Sequence, residues 1–262
     1  MIKVSDIFNT LEVAAPCRLA EEYDNPGFLV GRKNAEVTKV LVALDITEKI
    51  VAEAVETGAE LIVAHHTVIF RSRKCVTDED VCGSVLLALI ENKISAICMH
   101  TNLDSAEGGV NDVLAEKLGV KNTRVLAPGK EENTGIGRWG ELPEKMPLSD
   151  FLAVVCRVLD TSGVRYHDAG KTVKKVAVGG GSCGDFIPLA VTLGCDTIVT
   201  ADIKHNEFLD AAALGINAID AGHFATENII CPRICEIISE KHPGLDIRIA
   251  DADRSCTKFF TV

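Results

Sequence analysis

Histidines and carboxylates able to bind a metal ion follow three apolar runs of the chain: His65 and His66 after LIVA, His100 and Asp104 in HTNLD after SAICM, and His223 with Glu227 in GHFATE after NAID. In sheets of parallel strands flanked by helices, ligands bind beyond the carboxyl ends of the strands, so these positions are where chemistry is expected. One strand-end histidine is more often a hydrogen-bonded structural residue than a ligand. Several of them together with two carboxylates make a metal site the stronger reading. Neighbouring residues of an extended chain point to opposite sides, which makes His65 and His66 awkward chelators of one ion and suited to two ions side by side. His223 and Glu227, four apart at a helix start, share one face, and a carboxylate there can bridge two cations. Mixed imidazole and carboxylate ligation suits zinc, iron, manganese or cobalt, and the lack of cysteine in the set argues against a closed structural zinc site. The expected cofactor is a pair of divalent transition-metal ions per chain, held by His65, His66, Asp104, His223 and Glu227.

The elements that must position these residues follow from periodicity. From Lys39 to Gly119 strand-like runs alternate with helical stretches: KVLVALDI, EKIVAEAVETG, AELIVAHH, a loop with a helix, ISAICMH and GGVNDVLAEKLG. The order recurs from Lys175 as KVAVGGG, GDFIPLAVTLG, CDTIVTADI, NEFLDAAALG and INAIDAGH, followed by a long helix around ENIICPRICEIISEK. Such alternation predicts an α/β fold with mostly parallel, mixed sheets, and the recurrence predicts a duplicated unit. Lys39 and Gly58 stand 136 positions before Lys175 and Gly194, and Ile97 stands 122 before Ile219, the loop TVIFRSRKCVTDED absorbing the difference. The expected division is 1–126 for the first repeat, 127–147 for a crossing segment rich in Gly, Pro and charge, and 148–262 for the second repeat.

Other features are less specific. VGGGSCGD places Gly179, Gly181 and Gly184 in a G-x-G-x-x-G pattern after a strand and before a helix. That pattern fits a dinucleotide fingerprint, a phosphate-contacting loop or a tight structural turn; no acidic residue ends the next strand where a dinucleotide needs one, which leaves the first as the weakest. Asp24, Asn25 and Gly27 read as a polar turn. Asp45 and Thr47 are candidates either to orient His65 or His66 from behind or to cap the helix beginning near Glu48. His100 is a candidate for the same supporting role. Asp202, His205 and Glu207 stand at the matching strand end of the second repeat and are candidates to face a substrate, whereas His167 and His242 read as ordinary surface or core residues.

Composition excludes several classes. A chain of 262 residues, 47% hydrophobic and 25% charged, suits a large folded core rather than disorder. Lys and Arg total 27 against 38 Asp and Glu, a net charge of −11 with no basic run, so nucleic acid is not an expected partner. No apolar stretch approaches the length that spans a bilayer, and the N-terminal segment, with Val4, Ile7, Phe8 and Leu11 at helical spacing beside acidic residues, does not suit a signal or transit peptide. The ten cysteines lack framework spacing, so buried thiols in a reducing, cytoplasmic setting are expected. Cys231 and Cys235 share a helix face but lack the second pair a structural zinc needs.

EEYDNPGFLVG, the LIVAHH run, HTNLD followed by GGVND, and AGHFATE together resemble the Nif-three-like family, whose members are often labelled type 2 GTP cyclohydrolase I homologues. The likeness runs nearly end to end; Tyr23 stands where many relatives have Trp, and the likeness implies a place in the wall of the site for Asp24, Asn25 and Gly27, beyond that of a turn. It implies two intertwined α/β repeats with a metal site in the cleft between them, often assembled as a hexameric ring. It also implies two neighbouring metal ions held by positions that fall on His65, His66, Asp104, His223 and Glu227. The label implies attack of water on a purine C8 with loss of formate, a metal-bound hydroxide serving as nucleophile and His100 or His205 as acid. A fold does not certify a reaction. A metal-dependent hydrolase acting on a nucleotide or phosphorylated metabolite leads, ahead of a metal-handling protein without turnover and a protein-interaction module.

Overall fold

LIVA, SAIC and NAID are buried at every position, and strands without polar alternation need cover on both faces. The computed structural model describes residues 1–258 and 260. The chain divides into two units, Met1–Ala106 with Ile230–Arg254, and Glu107–Ile229 with the described residues from Ser255 on.

The first unit holds a five-stranded sheet in the order β1 (Gly27–Val30), β4 (Ser95–Cys98), β3 (Leu61–Ala64), β2 (Lys39–Ala43) and β11 (Asp246–Ile249). Neighbours run parallel except β1, which is antiparallel to β4. The helix Glu48–Thr57 joins β2 to β3; it starts on Thr47, whose hydroxyl accepts from Ile50 N at 3.4 Å. Its buried face, Ile50, Val51 and Ala54, packs with Leu41 and Ile62 from the sheet and with Leu86 and Leu89 from the helix Val81–Glu91. Residues 230–254 stand here rather than with the second repeat, where the sequence division had them. Two interactions explain this: β11 extends the sheet at β2 with Ile247 paired to Val40, and the Asp253 carboxylate accepts from Leu44 N at 2.7 Å.

The second unit holds six strands in the order β5 (Lys121–Pro128), β6 (Gly135–Met146), β8 (Val173–Ser182), β9 (Thr197–Ala201), β10 (Asn217–Asp220) and β7 (Arg165–His167). β8, β9 and β10 are parallel, and the others join antiparallel. The expected crossing segment 127–147 is mostly β6, in a hairpin with β5. Its glycines read as loop punctuation but serve close approach. A Cβ on Gly137 would stand 2.9 Å from Val178 O and 2.9 Å from the Leu126 side chain. Next to it, Arg138 is buried and paired with Asp112 at 2.7 Å.

The two sheets share one register as far as Val178, after which β8 shifts. Val40 pairs with Leu61, and Val176 with Thr197, each residue 136 positions later (40 to 176, 61 to 197). Leu61 pairs with Ser95, and Thr197 with Asn217, the second partner now 122 positions later (95 to 217). Side chains repeat as well. Lys39 N donates to Glu60 at 2.9 Å and Lys175 N to Asp196 at 2.7 Å, while Lys39 Nζ reaches Thr57 O at 2.7 Å and Lys175 Nζ reaches Leu193 O at 2.6 Å. A chance likeness of two α/β segments would not repeat hydrogen bonds at the same offsets. All ten cysteines are free thiols, Cys231 and Cys235 included. No helix among the described residues is long and apolar enough to cross a membrane.

Candidate metal centre

In the first unit the chain leaves β3 at Ala64 into His65 and His66, and leaves β4 through Met99 into His100 and the short helix Thr101–Ser105 that carries Asp104. Each imidazole is gripped at Nδ1: His65 by Met99 O, His66 by Asp45 Oδ1 and His100 by Asp24 Oδ1, all at 2.8 Å. A carbonyl can only accept, so Nδ1 of His65 carries the proton and Nε2 keeps its lone pair for a ligand bond; the carboxylates behind His66 and His100 favour the same tautomer. One ligand atom from each of the three histidines lies within 4.8 Å of the others, so this unit alone has a group able to hold a metal ion. Two ligand atoms on a tetrahedral ion with bonds of about 2.1 Å stand about 3.4 Å apart. His65 Nε2 and the buried Asp104 Oδ1 are 3.6 Å apart, longer than a hydrogen bond and close to that spacing.

One expectation fails in its geometry. His65 and His66 do not point to opposite sides of a strand; their ring centroids are 5.2 Å apart. The strand has ended at Ala64 and the chain bends at these two residues, so the alternation of an extended chain does not reach them.

In the second unit the helix His223–Glu227 follows β10. His223 repeats the same grip, with Nδ1 2.7 Å from Asp202 Oδ2, and its Nε2 lies 2.8 Å from Oε2 of Glu227 one turn on. Glu227 is 4% exposed, so its carboxylate is kept at depth beside an imidazole that reaches the surface. At 2.8 Å the two atoms are at hydrogen-bond distance, and the i, i+4 spacing sets a nitrogen and an oxygen side by side on one helix face.

Among the supporting residues, Asp45 orients His66 and Thr47 takes the helix cap, so both roles offered to that pair are filled, one by each. Asp24 is more than part of a turn: its side chain is fully buried and accepts from Thr101 N at 3.0 Å and Thr101 Oγ1 at 2.6 Å besides His100. Burial pushes its pKa up, but the hydrogen bonds from His100 and Thr101 and the charge of His100 outweigh it and hold the carboxyl down at about 2. Asp202 stands behind His223 instead of facing a substrate. Glu207 turns back to its own helix start, accepting from Lys204 N at 2.8 Å and Lys204 Nζ at 2.9 Å. His205 is the exposed first residue of that helix, His205–Leu214, and joins no metal-binding group among the described residues. His242 bonds Thr10 Oγ1 at 2.8 Å, a structural contact. The Met99 carbonyl was not singled out from the sequence, and no side-chain pattern marks it.

A sequence profile of the Duf34/NIF3 family (NGG1p interacting factor 3) matches residues 2–255. The chain is 36% identical over 242 residues to a GTP cyclohydrolase 1 type 2 homolog of Clostridium perfringens, covering 92% of both chains. It is 34% identical over 259 residues to a protein of the same description from Streptomyces coelicolor, covering 95% of this chain and 90% of that one. Its fold is similar to the crystal structure of a Bacillus cereus protein related to NIF3, with a TM-score of 0.90, 27% identity and 99% of each chain covered.

Proposed function

The chain belongs to the Duf34/NIF3 family, and from that premise we propose that it is a metal-dependent hydrolase acting on a nucleotide or a phosphorylated metabolite. The observation that carries this reading is the common attitude of four imidazoles, His65, His66, His100 and His223, each held at Nδ1 by an oxygen. Such support fixes the tautomer and aims Nε2, which is how metal-ligating histidines are arranged. We assign His65, His66, Asp104, His223 and Glu227 as ligands of two divalent transition-metal ions, with Glu227 as the bridge. Donor chemistry and the family resemblance support gathering both sets around one pair of ions. Such a pair, when bound, acidifies water and neutralises a developing oxyanion, the requirements of hydrolysis.

The chain's own residues add orientation and proton handling. His100 has its ring centroid 5.3 Å from His65 and 5.6 Å from His66, and Asp24 holds its Nδ1 from behind. It is therefore the residue to pass a proton to a leaving group through Nε2. His205 has no comparable support among the described residues, and proton transfer is assigned to His100 alone. Tyr23 and Phe70, 67% and 43% exposed, meet edge to face at 6.4 Å, and the Phe70 ring lies 6.0 Å from His100. Exposed rings beside a proton donor offer a stacking face for a base, which favours a nucleotide among the substrates considered. A cavity of about 270 Å³ beside His66, walled by Ile46, Val68 and Val85 with Asp45 and Thr67, adds room there.

The test is a screen of metal-reconstituted protein against nucleotides and simple phosphate esters, reading phosphate and formate release. Turnover of a nucleotide that stops on chelation and in Asp104→Asn is the expected result. Two metals bound with no turnover across the panel would favour a metal-handling role, and no metal uptake would overturn both readings.

A further inference from the structure

The Gly179–Gly184 stretch, which its pattern offers to a phosphate, is engaged elsewhere. Gly180 N donates to Asn111 Oδ1 at 2.9 Å, Gly181 N to Thr226 Oγ1 at 3.1 Å and Cys183 N to Thr200 Oγ1 at 3.0 Å, while Gly181 O accepts from Thr200 Oγ1 at 2.9 Å. Backbone amides already tied to side chains do not form an anion cradle. What lies against the loop is the carboxylate of Glu227. A Cβ on Gly181 would stand 2.2 Å from Glu227 Oε1, 3.1 Å from its Cδ and 3.2 Å from His223 Cε1, and one on Gly180 would stand 3.3 Å from Glu227 Cγ. Gly181 also has φ 62°, in the left-handed region that favours glycine.

We infer that Gly181 is a positioning residue for the metal centre: the space left by its missing side chain is the seat of the Glu227 carboxylate, and Asn111, Thr200 and Thr226 hold the loop in place around it. This rests on the assignment of Glu227 as a ligand. Glu227 Oε1 is the far end of a flexible side chain, so an alanine at 181 is relieved by moving the carboxylate rather than by opening the sheet. Relief from a 2.2 Å contact takes about 1 Å of movement. Ligand distances tolerate only about 0.2 Å, so a shift that the fold survives is one that a metal ligand does not.

The test is calorimetric titration of Zn²⁺ into the chelator-stripped full chain, with folding checked by circular dichroism. Gly181→Ala is compared with two controls. A Cβ on Gly184, in the same loop, meets the Glu207 carboxylate at 2.1 Å, and one on Gly215, at φ 67°, meets nothing within 4 Å. Backbone strain is thus shared with Gly215→Ala and loop location with Gly184→Ala, and peculiar to Gly181→Ala are the 2.2 Å contact with Glu227 and the milder 3.2 Å contact with His223 Cε1. Gly181→Ala should lose at least tenfold in affinity for one ion or both, while the two controls stay within about twofold of the parent. Should Gly181→Ala not fold, Thr226→Val, which removes the hydroxyl that Gly181 N donates to, should lose at least threefold. Parent-like affinity in Gly181→Ala, or in Thr226→Val where it is the variant read, overturns the inference, as does an equal loss in Gly184→Ala. Glu227→Gln separates the premise from the inference: parent-like binding there means Glu227 is not a ligand at all. Loss in Glu227→Gln with none in Gly181→Ala refutes the positioning role alone.

Discussion

Replacing Asp24 by asparagine separates the charge behind His100 from its shape. The carboxylate has no exposed surface and takes hydrogen bonds from His100 Nδ1, Thr101 N and Thr101 Oγ1. Burial raises its pKa, and the bonds and the charge of His100 lower it by more, from 3.8 to about 2. A depressed native pKa means that the unfolded chain binds the proton more tightly than the native state does. The stabilisation is therefore complete above the unfolded value and is lost as pH falls through 3.8 toward 2. A difference of that size corresponds to about 2 kcal/mol at pH 7. Asparagine keeps one accepting oxygen and turns an NH₂ toward the remaining donors, so Asp24→Asn should lose that whole amount at neutral pH. The assay is urea unfolding of metal-free protein followed by circular dichroism between pH 7 and pH 3. The gap between parent and variant should shrink to about half by pH 3, where the parent carboxylate begins to protonate. A gap below about 0.5 kcal/mol at pH 7 would refute the reasoning. A gap that stays constant on acidification would place the cost in the amide geometry and not in the charge.

Three further outcomes are expected. Glu227→Gln should weaken both metal ions together, whereas Asp104→Asn should weaken mainly one; metal titration of folded variants checks this, and parent-like binding in Glu227→Gln with none in Asp104→Asn would exchange their roles. Asp45→Ala should lower metal affinity by about 10- to 100-fold through the loss of the oxygen that holds His66 Nδ1, with the far-ultraviolet spectrum unchanged; an affinity equal to the parent's would remove Asp45 from the centre. The chain should assemble as a ring of six, and light scattering that reports a monomer at micromolar concentration would count against it.

The strand ends were legible because LIVA is wholly apolar and SAIC and NAID carry polar residues only at their ends, short runs that suit buried parallel strands. His65, His66, His100, Asp104, His223 and Glu227 could be picked out for that reason alone. Their supports were harder. Asp45 and Asp202 each lie 21 residues from the histidine they hold, and which carboxylate meets which ring is set by the pairing of neighbouring strands, not by local spacing. The bend at His65 and His66 was missed because alternation holds only while the chain stays extended, and the sequence does not mark where β3 stops. DIRI was assigned to the second repeat for want of any local signal: a four-residue strand with two charged residues pairs with whatever edge tertiary structure brings to it. In β6 the glycines and charges outweighed the strand pattern, although Gly137 and Arg138 are where neighbouring groups come closest.

The repeated register lets each strand-end residue be compared with its counterpart, and the comparison shows scaffold kept and chemistry exchanged. Counting 136 positions onward carries His66 to Asp202, and counting 122 onward carries Thr101 to His223 and Ser105 to Glu227, whereas β8 shifts register between Val178 and Ser182, so the count does not carry Asp45 across. In the first repeat the imidazole stands at the end of β3 and its supporting carboxylate at the end of β2. In the second, the carboxylate Asp202 takes the place of His66, and the imidazole it supports has moved one strand over, to His223. At Gly181, within the register shift of β8, a side chain would meet Glu227 Oε1 at 2.2 Å. The shifted register and the seat of Glu227 account for the glycine-rich pattern of the second repeat, with no phosphate needed.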